Sequence, residues 1–292
     1  LHFIYLCSKA RVSAKGIHLQ FKIIQYKKTR IKYVGLTVKS PKTNSFIQLF
    51  GVSESSFNLA LRKTFSEFLE STTFWKRELS VEESRSGMAT HKNYEQCYQN
   101  AYEELIERDS FVMHLYASEL KTTMLTSDDG IDFIKLQSID PLLNVVLARG
   151  FKDEKQFISL GVSRSLDTAL EKAKLEFIML YNEAPDFLTD KKDVVENCLR
   201  PHYLSAQSLL MTRIMKRLIN GGGEQTLTKI DHCEIHTGVQ ERFGQFVTLK
   251  LSGKNILNLK FGQLWENEYN AHLRILSERR LHVLPFLIHP LL

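Results

Sequence analysis

Two pairs of glutamates are spaced so that each could grip a single object: Glu67 and Glu70 in SEFLE, and Glu104 and Glu107 in EELIERD. On a helix, residues three apart share a face, so each pair turns two carboxylates the same way. Gln96, Asn100, Glu104 and Glu107 continue that logic as one polar stripe, and Lys63 lies one turn before Glu67. Four carboxylates meeting across two packed helices would repel unless cations stood between them. Mg2+ suits the need, being a hard ion that typically takes one or two carboxylates together with the phosphates of a nucleotide. Two such ions would also stabilise charge on a departing phosphate. An ExxE motif read in isolation is a solvated helix face.

The elements that must carry these residues can be read from periodicity. A helix from about 56 to 79 repeats Phe57, Leu61, Phe65, Phe68 and Leu69 at helical spacing. Ser86-Gly87-Met88-Ala89 breaks the pattern. A second helix over 94–116 has Tyr94, Cys97, Tyr98, Ala101, Leu105 and Val112 as its buried stripe. Residues 31–39 and 44–49 read as paired strands, and 132–137, 142–148 and 156–162 as three more, with a polar turn from Arg149 to Lys155. Ser165 caps a third helix to about 182, with Leu166, Ala169, Leu170, Ala173, Phe177 and Leu180 in phase, ended by Ala184-Pro185-Asp186. A fourth helix over 203–219 stops at the hinge Gly221-Gly222-Gly223. Strands near 230–236, 245–251 and 256–260 follow, then a helical stretch near 265–280. No internal repeat is expected.

Composition bounds the function classes. A chain of 292 residues, 43% hydrophobic and 25% charged, suits one generous globular unit. The net charge of +6 favours an anionic ligand, but no run of basic residues supports nucleic-acid binding. No segment is apolar for the roughly 18 residues a membrane span needs. The opening LHFIYLC is too short for a signal peptide, and Leu1 in place of Met reads as a trimmed or alternative start. Cys7, Cys97, Cys198 and Cys233 show no CxxC spacing, so reduced thiols and a cytoplasmic setting are expected. His232, Cys233 and His236 are zinc-binding types, but without a second ligand pair they read as strand and turn. The triple glycine lacks the Lys-Ser/Thr of a phosphate loop. Cys97, Trp75 and Trp265 read as packing residues.

The segments carrying the glutamates resemble signatures of the YcaO family. GVSESSFNLALRKTFSEFLES is similar to the first, a Gly-rich entry before a helix reading Glu-x-x-Glu-Arg. SGMATHKNYEQCYQNAYEELIERDSF resembles the second, a small-residue loop opening a helix that ends Glu-x-x-Glu-Arg-Asp. NVVLARGFKDEKQFISLGVSRSLDTALEKAKLEF resembles the third, two strands and a helix with Ala173 and Glu176. The resemblance implies an α+β fold with mixed or antiparallel sheets and helices packed on one side around a nucleotide cleft. Residues 1–220 would form the nucleotide-binding core and 221–292 the rest of the same domain. It implies ATP and Mg2+ as cofactors, with Glu67, Glu70, Glu104 and Glu107 on the metal and Arg108 and Glu176 at the nucleotide. Gln96, where the family often has an acidic ligand, and Asn100 of the same stripe join them, and Lys63, where the family usually has a small residue, would add a point charge. The implied reaction is ATP-dependent activation of peptide backbone amides, foremost cyclodehydration of Cys, Ser or Thr to azolines, with thioamide or amidine formation as the related alternatives. The implied partners are a precursor peptide, a separate leader-peptide-recognition protein and a flavin-dependent dehydrogenase, with a homodimer left open. Pro285 and Pro290 form a diluted version of the family's proline-rich tail. Ser71 stands where the family has arginine, and Met179 and Tyr181 where it tends to have glutamine and arginine. The link 71–85 is short. These departures point to the alternative, an inactive scaffold subunit.

Overall fold

The computed structural model describes residues 9–14, 17–39, 46–76, 86–117, 120–152, 155–189, 234–254, 256–257 and 274–279. Strands β1 (Lys9–Ala14), β2 (Ile17–Tyr26), β3 (Thr29–Lys39) and β4 (Phe46–Ser53) form a four-stranded meander that runs into α1 (Phe57–Lys76). Strand β5 (Met88–His91) and α2 (Tyr94–Tyr116) follow. A second meander, β6 (Thr122–Asp128), β7 (Ile131–Leu136), β8 (Asn144–Lys152) and β9 (Lys155–Ser163), runs into α3 (Leu166–Thr189). Strands β10 (Ile235–Phe243) and β11 (Phe246–Gly253) join β5 in a three-stranded sheet of order β10-β11-β5. Every strand pair in the three sheets is antiparallel.

Several elements differ from the sequence reading. The break at 86–89 is the entry to β5, held by the backbone bond from Leu251 N–H to the Gly87 carbonyl at 2.8 Å. The turn over 149–155 is mostly strand, since Lys152 pairs with Lys155. Helix α3 runs on through Pro185 to Thr189, because losing one helical N–H does not outweigh the turns that precede it. Ile256 and Leu257 are buried but lie outside any strand. Of the last helical stretch, 274–278 is helical, and the helix at 203–219 and the triple glycine lie outside the described residues.

The two meanders are copies of one plan, which overturns the expectation of no repeat. Each ends in Gly-Val-Ser, Gly51-Val52-Ser53 before α1 and Gly161-Val162-Ser163 before α3. Both glycines let the last strand lie hard against the helix. A Cβ would stand 2.2 Å from the Ala60 carbonyl oxygen at Gly51 and 2.3 Å from that of Ala169 at Gly161. Aligned on these alanines, ALRKTFSEFLE faces ALEKAKLEFIM, so Lys63 matches Lys172, Glu67 matches Glu176 and Phe68 matches Phe177. Lys63 Nζ donates to the Val52 carbonyl at 3.0 Å, and Lys172 Nζ to the Val162 carbonyl at 2.9 Å. Serine hydroxyls cap both helices: Ser56 accepts from Leu59 N–H at 3.2 Å, and Ser165 from Thr168 N–H at 3.4 Å.

Packing explains why β8 reads as a continuous apolar run. Val145 and Leu147 join a core with Ala101 and Leu105 of α2, whereas Val146 and Ala148 join another with Ala173 and Phe177 of α3. Alternate residues point to opposite faces, and both faces are covered. Burying a side chain such as Phe177 stabilises the fold by about 2–3 kcal/mol. Asp109, just beyond the EELIER run on α2, receives a two-pronged contact from Arg279 at 2.6 and 2.9 Å and the Leu257 N–H at 2.7 Å. This fully buried pair ties the C-terminal segment to the helix that bears Glu104 and Glu107.

Candidate functional site

Three sheet edges and three helices meet around one cavity of about 640 Å³. Strands β4, β5 and β9 each supply wall residues, and α1, α2 and α3 each supply charged side chains. That volume falls in the range of small-molecule and cofactor sites. Glu67 and Glu70 reach it from α1, Glu104, Glu107, Arg108 and Asn100 from α2, and Glu176 from α3. Lys63 lines it as well. Gln96 does not; it is exposed at the start of α2 and meets the site only through Asn100, whose Oδ1 accepts its Nε2 at 2.9 Å. The start of α2 is fixed by Asn93, whose side chain accepts from Gln96 N–H at 2.9 Å.

The electrostatics show that the three helices share one charged space. Burial is the largest influence on Glu107 and pushes its carboxyl upward; Glu103 adds to the push, while Arg108 and Lys172 oppose it. Arg108 stands 3.7 Å from Glu107. Glu176 is pushed up to about 7, first by burial and then by the negative charges of Glu107 and Glu67, with Arg108 opposing. Carboxylates from α1, α2 and α3 therefore feel one another inside the cavity. Lys63 is shifted downward, chiefly by burial, with Lys172 adding to the effect and Glu171 opposing it. Glu67 also has a structural duty: the Phe50 N–H on the β4 edge donates to its Oε2 at 3.1 Å.

Among the described residues, no group of three or more His, Cys, Asp or Glu side chains is close enough to cage a metal unaided. Mg2+ rarely uses an all-protein cage and keeps waters and phosphate oxygens in its shell. Glu107 is buried and Glu67, Glu70 and Glu104 are half-buried, and carboxylates that face like charge are a donor set that fits a hard dication with an oxygen-rich ligand.

The sequence reading missed Glu103, Lys172 and Arg62, all of which line the cavity. Glu103 is buried, takes the Lys172 Nζ at 2.7 Å, and accepts from Gln99 Nε2 at 3.1 Å. The signal for Lys172 was the repeat itself, since Lys-x-x-x-Glu occurs in both α1 and α3. Tyr94 and Tyr98, expected in the buried stripe of α2, are exposed, and so is Phe65 of α1, which packs edge-on to Phe246 with ring centroids 5.6 Å apart. A single helical stripe could not be resolved into a core side and a rim side from periodicity alone. Cys97 is core as expected: its thiol donates to the Ala89 and Val247 carbonyls, and burial pushes it up to about 11. Met179 is buried at the cavity wall, and Tyr181 packs against Tyr26, Phe157 and Phe177. His236 is exposed, with Nε2 3.0 Å from the Ser252 hydroxyl, while His232, Cys233, Trp265, Pro285 and Pro290 lie outside the described residues. No helix is long and apolar enough to cross a membrane among those described.

No protein-family model matches the sequence, and no curated protein matches it. Solved structures do. A chain of the E. coli microcin synthetase McbBCD complex superposes with a TM-score of 0.58 at 10% identity, over 86% of this chain and 91% of that one. YcaO from Methanopyrus kandleri, bound with AMPPCP and Mg2+, superposes with a TM-score of 0.50 at 11% identity, over 86% of each chain. Likeness at such low identity shows the fold: the chain has the α+β architecture of YcaO proteins.

Proposed function

We propose that the cavity binds ATP with Mg2+ and that the protein uses them to activate backbone amides of a ribosomally made precursor peptide. The observation that carries this reading is the convergence of Glu67, Glu107 and Glu176 from three helices, with Arg108 and Lys63, into one cavity. The similar YcaO structure holds AMPPCP and Mg2+, which supports the choice of ligand. Glu67, Glu70, Glu104 and Glu107 would hold Mg2+, whose chemistry there is to neutralise phosphate charge. Arg108 would offer a planar fork to phosphate oxygens, and Lys63 a point charge. Asn100 and Glu176 complete the nucleotide wall, with Gln96 orienting Asn100.

In this reading a Cys, Ser or Thr side chain of the peptide gives up its thiol or hydroxyl proton to solvent and attacks the preceding carbonyl carbon; the proton lost later is that of the amide nitrogen. The resulting oxyanion takes the γ-phosphoryl group from ATP, releasing ADP. Loss of phosphate and a proton then leaves a thiazoline or oxazoline. The protein's own contribution is position and charge, with no covalent enzyme nucleophile. A leader-recognition partner would deliver the peptide, and a flavin-dependent dehydrogenase would act on the ring afterwards.

Calorimetry with ATP and Mg2+ tests the proposal on wild type, Glu104→Ala and Glu107→Ala. Binding by wild type, weakened on the order of a hundredfold in both variants, is expected. Equal or absent binding in all three proteins rejects it. A second reading, an inactive scaffold, is favoured by Met179 and Tyr181, which are committed to apolar and aromatic packing. It predicts equal or absent nucleotide binding in wild type and both variants, and no turnover when the peptide and partner are supplied.

A further inference from the structure

The duplication places a second lysine in the cavity, and the reading above leaves it without a role. Lys172 is the α3 counterpart of Lys63. Each ammonium is anchored to the carbonyl of the valine after the strand glycine, so one reaches the cavity from the β4–α1 unit and the other from the β9–α3 unit. They sit near enough that Lys172 disfavours the charge on Lys63. Their remaining contacts differ. Lys172 gives a second hydrogen to Glu103 at 2.7 Å. Lys63 makes its hydrogen bond to the Val52 carbonyl and feels the negative charge of Glu171. An ammonium has three hydrogens to donate, so Lys63 keeps two and Lys172 one beyond the bonds they already make.

We propose that Lys63 and Lys172 clamp the oligophosphate of the bound nucleotide from two sides, with Glu103 holding Lys172 in place until phosphate takes over. This rests on the nucleotide reading of the cavity. Glu103 is an internal stand-in for the ligand: one carboxylate, itself buried and further fixed by Gln99. A polyphosphate brings more charge and more acceptor oxygens to the same ammonium. The competing account of these atoms is a plain tie between α2 and α3, and the two accounts differ in the sign of one measurement. Removing the charge of Glu103 frees Lys172, so the clamp should grip harder; a tie would only be lost.

The test is calorimetric titration of the full chain with ATP and, separately, inorganic tripolyphosphate, both with Mg2+. Wild type is compared with Lys63→Gln, Lys172→Gln, Lys172→Arg and Glu103→Gln, with a melting curve for each. Each glutamine replacement of a lysine should weaken both ligands about tenfold, one ammonium's contact with phosphate. Lys172→Arg should stay within about threefold of wild type, and Glu103→Gln should tighten both ligands several-fold. The clamp is overturned if Lys172→Gln binds as wild type does, or if Glu103→Gln weakens binding as much as Lys172→Gln. Weakening by Lys63→Gln alone sinks the clamp and leaves the nucleotide reading standing. Wild-type binding of neither ligand sinks both readings, and binding of ATP without tripolyphosphate sinks the clamp alone. Should a variant fail to fold, NMR on wild-type protein with isotope-labelled lysine decides instead. The Lys172 ammonium resonance should move on adding tripolyphosphate, and an unmoved resonance refutes the clamp.

Discussion

The β4–α1 and β9–α3 units share a scaffold and differ in charge. Glycine, alanine, lysine, glutamate and phenylalanine occupy matching places in both, and the lysine-to-valine carbonyl bond is repeated within 0.1 Å (3.0 against 2.9 Å). Beyond that common set they diverge. Glu70 of α1 has Met179 as its counterpart on α3, and Ser71 has Leu180. Glu67 is engaged by the Phe50 N–H, whereas Glu176 is pushed up to about 7 by burial and by the charges it faces. The two walls are thus alike in carrying a lysine and a glutamate, and they differ in that α1 adds Arg62 and Glu70 to the cavity where α3 adds Leu175 and Met179. One backbone plan therefore supports an acidic residue at Glu70 of α1 and an apolar one at the matching Met179 of α3, while carboxylates from all three helices still line the cavity.

The largest effect that could break the equivalence comes from the glycines. In either unit an added methyl group would press on helix backbone at little over 2 Å, and backbone has no rotamer with which to retreat. Gly51→Ala and Gly161→Ala should each cost about 3–4 kcal/mol by urea denaturation, since strand and helix must separate. Because the contact is the same, the two costs should agree within roughly 1 kcal/mol. A wild-type-like Gly161→Ala beside a crippled Gly51→Ala would show that the units are packed by different rules.

How much of this was legible in the sequence depends on the range over which each signal acts. Helix α2 was placed at its observed ends because its periodicity and carboxylate spacing are both local. The same locality put Glu67, Glu70, Glu104 and Glu107 in one site once the two helices were assumed to pack together. Strand β5 was invisible: four residues, Met88–His91, are too few to show alternation, and they become a strand only when β11 pairs with them from far along the chain. The repeat was hidden by a one-residue slip. Gly51 and Ala60 are nine positions apart and Gly161 and Ala169 eight, so an ungapped comparison that aligns the strands misaligns the helices. The Lys172–Glu103 pair joins residues 69 apart in sequence, and no spacing rule reaches that far.

A smaller effect sharpens the contrast between the walls. Restoring symmetry with Met179→Glu would place a carboxylate where the side chain is 4% exposed and packed with the α3 core. Desolvation and the nearby Glu176 both oppose its charge. The variant should lose about 2–3 kcal/mol at pH 8 by urea denaturation, with most of that loss absent at pH 5 where the new acid is protonated. A variant as stable as wild type at both pH values would mean that the α3 wall is more polar than its packing implies.

The smallest expected effect is the pH response of Glu176 in the metal-free protein. Its folded carboxyl titrates near 7, above the ordinary value of 4.5, so between those limits the folded protein holds a proton that the unfolded chain gives up. The unfolded state then binds fewer protons than the folded one, and stability falls as pH rises through that window. The stabilising contribution is complete below about pH 4.5 and gone above about 7. Allowing for relaxation around the charge, the drop should be roughly 2 kcal/mol, read as a lower urea midpoint at pH 8 than at pH 5 after correction for other groups. Glu176→Gln should flatten the profile. Glu107→Gln should move the window downward, because the negative charge of Glu107 is second only to burial in raising Glu176. If Glu107→Gln leaves the wild-type profile untouched, α2 and α3 do not share a charged space, and the two walls must be treated as separate sites.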